Sequence, residues 1–237
     1  MESIFHSASQ RGFANHGWLK ATHSFSFANY YDNEKIHFGL LRVLNDDIIA
    51  PSRGFDLHPH QDMEIITIPL SGSLLHGDNM GNKEVIATGE VQVMSAGSGI
   101  FHSEHNASDK EELNLFQIWI FTDQKKHKPR YDQKKFSPEN SEDKWQQLVG
   151  PKGKTDQLWI HQNAYISVIH AVNEENFQYN LNLQGNGVYF MLIEGEAKIG
   201  EYLFEKRDAA GFWGIIDPVE IHLKIDSKLL AVEVPMS

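Results

Sequence analysis

The sequence contains no cysteine at all. This absence excludes disulfide bonds, thiolate zinc sites, iron–sulfur clusters and a cysteine nucleophile. It is compatible with the reducing cytoplasm, where disulfides are rare. Any metal site in this protein must therefore do without thiolate ligands.

Long hydrophobic runs and an excess of positive charge are also missing. No segment reaches the roughly 18 apolar residues of a membrane span, and residues 1–10 lack the apolar core of a signal peptide. The net charge is -11, so the chain offers little attraction to a phosphate backbone. We therefore expect a cytoplasmic protein that binds neither membranes nor nucleic acid directly.

Short β-branched and aromatic segments separated by Gly, Asn and Asp make up most of the sequence. This rhythm predicts an all-β sandwich or barrel rather than a βαβ fold. The clearest strand candidates are 65–70, 85–87, 91–94, 115–121, 158–160, 165–170, 188–193, 197–199, 220–225 and 229–234. Only 137–148 is a reasonable helix candidate, with Ser137 as the N-cap and Pro138 in the first turn.

The stretch 123–144 differs from both flanks because it is rich in Lys, Asp, Glu, Gln and Ser. We interpret it as an exposed connection with a solvated surface rather than as a binding site. The predicted organisation is then an N-terminal domain over 1–122, the connection over 123–144, and a C-terminal domain over 145–237.

Two histidine-containing pairs stand out among the 13 histidines. His58 and His60 are separated by one residue, and so are His102 and Glu104. Residues at i and i+2 of a strand point to the same face, so a barrel could bring both pairs to one interior point. Pro59 cannot donate a ladder hydrogen bond and so indicates a strand start or an edge strand.

Three imidazoles and one carboxylate suit one divalent transition metal ion and leave coordination positions open for exogenous ligands. Iron is our first choice, and Ni, Cu, Mn and Zn remain open. A lone strand histidine is more often a packed or surface residue, but two such pairs are harder to explain by chance. Glu64 could be a ligand, a neighbour of the ligands or a surface charge, and His76 and His105 are near the site in sequence only. The second half offers no comparable metal set, because its histidines lie far apart at His161, His170 and His222.

Several segments resemble the pirin family of the cupin superfamily. They are 58–65, 72–82 and 96–104, together with 23–32, and the resemblance continues more weakly through the second half. The resemblance implies a bicupin, in which one chain forms two β-barrel (jelly-roll) domains and only the N-terminal one binds metal. The family's ligands match His58, His60, His102 and Glu104.

The resemblance also implies a function, because bacterial pirins are linked to quercetin 2,3-dioxygenase activity. We expect a metal-dependent enzyme that cleaves a flavonol such as quercetin with dioxygen and releases carbon monoxide. Glu104 is the expected catalytic residue, as acceptor of the substrate hydroxyl proton. Two alternatives stay open: a metal-dependent interaction or transcriptional co-regulator protein with a protein partner, and a cupin isomerase or hydrolase using a metal-bound water.

Overall fold

The structure is a computed structural model that describes all residues 1–237. It contains 22 strands, and its only helical elements are two short 3-10 turns at Ala8–Gln10 and Pro138–Ser141. The all-β prediction is therefore confirmed. The structure has no helix with the length and hydrophobicity needed to cross a lipid bilayer.

The first barrel consists of a seven-stranded and a four-stranded sheet. The strands of the larger sheet, in spatial order, are β12 (Arg130–Lys135), β9 (Glu90–Ser95), β6 (Met63–Ser71), β11 (Leu113–Phe121), β4 (Leu41–Ile49), β3 (Leu19–His23) and β2 (Gly12–Asn15). The strands of the smaller sheet are β5 (Gly54–His60), β10 (Ile100–Asn106), β7 (Ser73–Asp78) and β8 (Lys83–Ala87). As Pro59 indicated, β5 lies at the edge of its sheet.

The second barrel repeats this plan with one seven-stranded and one four-stranded sheet. Its larger sheet runs β1 (Glu2–His6), β20 (Ala209–Trp213), β17 (Asn186–Glu194), β22 (Lys228–Pro235), β15 (Tyr165–His170), β13 (Gln146–Pro151) and β14 (Leu158–Ile160). Its smaller sheet runs β16 (Glu175–Tyr179), β21 (Val219–Leu223), β18 (Ala197–Ile199) and β19 (Tyr202–Phe204). The predicted two-barrel bicupin is confirmed.

The boundaries between the barrels differ from the predicted ones in two places. Strand β1 lies in the predicted N-terminal domain, yet it pairs antiparallel with β20 of the second barrel. Strand β12 lies in the predicted connection 123–144, yet it extends the first barrel's large sheet by pairing with β9. The polar composition of β12 fits an edge position, where backbone hydrogen bonds rather than buried side chains hold the strand.

The helix predicted for 137–148 does not form. Only Pro138–Ser141 makes a 3-10 turn, and β13 then begins at Gln146 and pairs with β15 and β14. Leu148 and Val149 are buried in the core as part of this strand. Tertiary burial thus overrides the local N-cap signal.

The two large sheets pack face to face and share one hydrophobic core. This cluster of 24 buried residues includes Phe116 and Ile118 from the first barrel and Tyr189 and Val232 from the second. An ion pair between Arg207 Nε and Asp46 Oδ2, 2.6 Å long, also joins the barrels. The interface is therefore apolar at its centre and holds the two halves as one body.

Candidate metal centre

Three imidazoles converge inside the first barrel. His58 and His60 project from β5, and His102 projects from the adjacent strand β10, where it pairs directly with His58. The ring centroids are 4.4 Å apart for His58 and His102, and 4.9 Å apart for His60 and each of the others. One ligand atom from each ring lies within 4.8 Å of the other two, so the group is compact enough to hold a metal ion.

The hydrogen bonding of these rings suits a ligand role. His102 is completely buried, and neither of its ring nitrogens has a hydrogen-bond partner. His58 donates from Nδ1 to the carbonyl oxygen of Asp56 at 2.7 Å, which leaves Nε2 with a free lone pair. A buried imidazole without partners is unfavourable unless another group, such as an ion, uses its lone pair.

Desolvation keeps two of the rings neutral. Burial, helped by the neighbouring His102 and His58, lowers the pKa of His60 to about 4. Burial, helped by His58 and His76, lowers the pKa of His102 to about 3. Both rings are neutral at pH 7, the protonation state that metal coordination requires.

Glu104 is buried on the same strand as His102 but is held differently. Its Oε2 accepts a hydrogen bond from Gln117 Nε2 at 2.8 Å, and its Oε1 accepts one from Thr67 Oγ1 at 3.3 Å. A register shift between His102 and Glu104 marks a bulge in β10. Glu104 is not part of the compact group of three imidazoles, and its role as fourth ligand stays a prediction.

His76 was expected to be near the site in sequence only, and this expectation is wrong. Its ring is completely buried, and its centroid is 5.5 Å from that of His102. The Nε2 atom lies 3.2 Å from Asp78 Oδ2, and the ring stacks on Tyr131 with centroids 4.5 Å apart. The signal that could have revealed it is strand register, because β7 pairs with β10 and places His76 opposite Glu104.

An aromatic-walled cavity of about 370 Å³ lies near the imidazoles, although none of His58, His60 and His102 lines it. Phe55 in its wall packs near His58, with ring centroids 6.2 Å apart. On another side Phe27 makes an edge contact with Trp119, which in turn makes an edge contact with His60. The volume is in the range of small-molecule sites, and the walls suit a flat aromatic ligand.

Polar groups in the same cavity are Asn45, Asp47 and His23. His23 Nδ1 and Asn45 Oδ1 form a 3.0 Å hydrogen bond. Asp47 is buried, and its Oδ1 has no partner. Burial, together with the charges of Asp46 and Glu104, raises the pKa of Asp47 to about 8, so this carboxyl is protonated at pH 7 and can donate a hydrogen bond.

The remaining candidates lie elsewhere. Glu64 is buried and accepts a 2.6 Å hydrogen bond from Ser95 Oγ, and it does not join the imidazole group. His105 lies beside Asp56, with Nε2 3.5 Å from Oδ1. In the second half, His170 and His222 belong to no metal-sized group. His161 does belong to one, together with two residues from the predicted connection, contrary to our expectation.

Comparison with known proteins places the chain. A sequence model described as Pirin matches residues 5–120, and one described as Quercetinase C-terminal cupin domain matches residues 147–234. The chain is 39% identical over 228 residues to a quercetin 2,3-dioxygenase of Escherichia coli strain K12, covering 96% of each protein. This chain belongs to the pirin family. The predicted membership is confirmed across both barrels.

Solved pirin structures agree with the fold. The crystal structure of the bacterial pirin YhhW from Escherichia coli in complex with nickel(II) matches with a TM-score of 0.93 and 37% identity, and the match covers 100% of both chains. A quercetin 2,3-dioxygenase from Acinetobacter baumannii shares the fold at a TM-score of 0.75 and 19% identity. Two observations support a divalent metal in this pirin: the nickel bound in the Escherichia coli structure and the group of three imidazoles in this chain.

Proposed function

We propose that this pirin is a metal-dependent dioxygenase that cleaves a flavonol such as quercetin, with uptake of dioxygen and release of carbon monoxide. The observation that carries the proposal is the group of three converging, partly or fully buried imidazoles. An aromatic-walled cavity lies close to this group, with Phe55 of its wall packed near His58. The name of the Escherichia coli relative, a quercetin 2,3-dioxygenase, supports the same reaction class.

In this proposal His58, His60 and His102 hold the ion, with Glu104 as fourth ligand. When bound, a divalent transition metal supplies the Lewis acidity that lowers the pKa of a substrate hydroxyl and the electron-transfer capacity that dioxygen chemistry needs. Iron is our first choice, and nickel is the ion in the solved Escherichia coli relative. We place the protein in the cytoplasm, as the lack of cysteine suggested.

Glu104 is the proposed acceptor of the proton from the flavonol 3-hydroxyl. The hydrogen bonds from Gln117 and Thr67 fix the carboxylate in one orientation. A base held in this way does not have to reorganise when the proton arrives. Gln117 and Thr67 act through Glu104 and are positioning residues.

The cavity supplies the contacts that would orient the substrate. Phe27 and Phe55 offer flat apolar surfaces for the aromatic rings. The protonated carboxyl of Asp47 can donate a hydrogen bond to a substrate oxygen, and Asn45 can contribute another. The apolar walls around the rings would also exclude water from the reacting atoms.

The test is turnover of quercetin by metal-loaded protein in oxygenated buffer. We expect equal consumption of quercetin and dioxygen, equal release of carbon monoxide, and an ester product. The controls are the metal-free protein and the Glu104→Gln variant, which is compared with wild type at equal metal content. Glutamine keeps the shape of Glu104 but cannot take the proton. Turnover of Glu104→Gln should fall about 100-fold or more, in line with the usual contribution of a general base.

Two outcomes would overturn the proposal. One is ring cleavage at the rate of the metal-free control. The other is conversion of a substrate without oxygen uptake, which would indicate an isomerase or a hydrolase instead. Metal analysis of the same preparation identifies the ion that supports turnover.

A further inference from the structure

A second group of potential metal ligands lies outside the first barrel's interior. Asp123 follows the end of β11, His127 lies in the loop before β12, and His161 follows β14 of the second barrel. One ligand atom from each of the three residues lies within 4.8 Å of the other two. The group therefore joins residues of both halves of the molecule.

We propose that Asp123, His127 and His161 form a second divalent-metal site, separate from the three imidazoles, that clamps the two barrels together. Two imidazoles and one carboxylate are the donor set that Zn²⁺ and similar borderline ions prefer. Three protein ligands leave at least one position for water. The site is independent of the proposed dioxygenase reaction.

The surrounding charges leave the carboxylate available. The ion-pair partner of Asp123 is His127, whose Nε2 lies 2.7 Å from Oδ1, and no Lys or Arg pairs with it. The nearby Arg130 is occupied instead by Asp132 at 2.9 Å and by the carbonyl oxygen of Trp159 at 2.6 Å. An incoming cation would thus meet a carboxylate that no Lys or Arg side chain neutralises.

Access from solvent is open. The side chain of Asp123 is 45% exposed and that of His127 is 21% exposed. An ion can reach the group without opening either barrel. This differs from the imidazoles of the first barrel, where His102 is completely buried.

Backbone hydrogen bonds hold two residues of the site in place, and the two imidazole rings stack on each other. The carbonyl oxygen of His127 accepts a hydrogen bond from the backbone N–H of Ser98, and that of His161 accepts one from Asp123, both 2.8 Å long. The two imidazoles stack in parallel, with centroids 3.8 Å apart and planes 7° apart. Parallel rings cannot aim both lone pairs at one ion, so at least one must rotate about its Cβ–Cγ bond. Ion binding then replaces a ring stack with two metal–nitrogen bonds.

The test counts zinc ions on the full-length protein. Metal-stripped protein is equilibrated with buffered micromolar Zn²⁺, freed of excess, and measured by elemental analysis. We expect two Zn²⁺ per wild-type chain and one per chain in Asp123→Asn and in His161→Ala. His58→Ala should also retain one, held by the second site.

His222→Ala is the matched control. His222 is also partly exposed and lies 3.3 Å from a carboxylate, that of Glu174, but it has no second imidazole beside it. This variant should keep both ions, which separates a built site from general binding to surface histidines. Titration of the Asp123 and His161 variants should show at least a ten-fold loss of affinity at the second site alone.

A single Zn²⁺ on the wild-type chain would overturn the proposal. So would a second Zn²⁺ that survives in both Asp123→Asn and His161→Ala. Zinc-soaked crystals give an independent check. An anomalous peak is expected between the rings of His127 and His161. Its absence, when the first site is fully occupied, would contradict the assignment. None of these results depends on whether quercetin is turned over.

Discussion

The two barrels share one strand plan, but their interiors differ in chemistry. Where β5 of the first barrel carries His58 and His60, the equivalent strand β16 of the second buries Phe177 and Tyr179. Where β10 carries His102 and Glu104, the equivalent strand β21 buries valine, isoleucine and leucine. The second barrel encloses a cluster of 18 buried hydrophobic residues, whereas the first has two clusters of 7 and 4 around its polar centre. The same barrel architecture can thus fill its interior with a hydrophobic core or with a group of potential metal ligands.

The buried carboxylates of the two barrels show the same contrast. Glu233 in the second barrel accepts hydrogen bonds from the Tyr179 hydroxyl and from backbone and side-chain N–H groups of residues 182–186. Glu104 in the first barrel accepts only two. A saturated carboxylate is a structural element, whereas a carboxylate with free lone pairs can act on a ligand.

The largest expected effect tests the packing side of this comparison. Phe190→Ala removes a completely buried ring from the second barrel. We expect a loss of about 3–5 kcal/mol in the free energy of unfolding, because the cavity cannot fully collapse. Urea denaturation measures it, and metal binding by the folded variant should be unchanged. A loss below about 1 kcal/mol would show that this interior is not tightly packed.

The next effect tests the chemical side. His102→Ala should weaken metal binding by more than 100-fold, since removal of a residue that merely supports a ligand already reduces affinity by about 10–100-fold. The measurement is competition with a chromophoric chelator. It is made in a His161→Ala background, which removes the proposed second site and leaves only the imidazole group of the first barrel. His222→Ala, on the equivalent strand β21, is the control and should bind as before. Equal affinities for the two variants would disprove the ligand assignment.

Asp47→Asn tests the buried carboxyl of the first barrel through pH. The native pKa of Asp47 is raised to about 8, so the folded state keeps a proton that the unfolded state releases near pH 4. The contribution of Asp47 to wild-type stability therefore falls as pH rises from about 4 to about 8. The amide introduced by Asp47→Asn does not titrate and carries no such penalty, so the variant should gain of order 3–4 kcal/mol relative to wild type between pH 5 and pH 8. The free energy of unfolding is measured for both proteins at pH 5 and at pH 8. If the difference between the two proteins is the same at both pH values, the raised pKa is contradicted.

The smallest effect concerns the neighbour of the imidazoles. His76→Phe keeps the stacking on Tyr131 but removes the nitrogen that faces Asp78. We expect roughly a ten-fold loss of metal affinity, typical of a residue that orients a ligand. The same chelator competition measures it. An effect as large as that of His102→Ala would instead make His76 a ligand.

Much of the fold was predictable because its strands follow local patterns. The segments 158–160, 165–170 and 197–199 form strands with the predicted bounds. Two of the strands that were not predicted, β12 and β1, depend on distant partners. Strand β12 has almost no apolar alternation, and β1 is short and pairs with residues about 200 positions away along the chain. Neither strand can be recognised before its partner is known.

The imidazole group was predictable for the same reason, since both pairs lie within single strands. The contribution of His76 required the register between β7 and β10, which local spacing does not contain. The group of Asp123, His127 and His161 required the packing of one half against the other. Sequence spacing therefore identifies ligands that share a strand and misses those that meet only through tertiary structure.

The pairing of β1 with β20 has a consequence for biosynthesis. The ribosome makes the first strand of the second barrel's large sheet about 200 residues before its partner. Until that partner emerges, the nascent chain carries an unpaired strand edge that can attract other chains. If the protein were cut between its two halves, the strand edge would stay unpaired permanently. The C-terminal fragment would expose the edge of β20, and the N-terminal fragment would keep β1 without a partner strand.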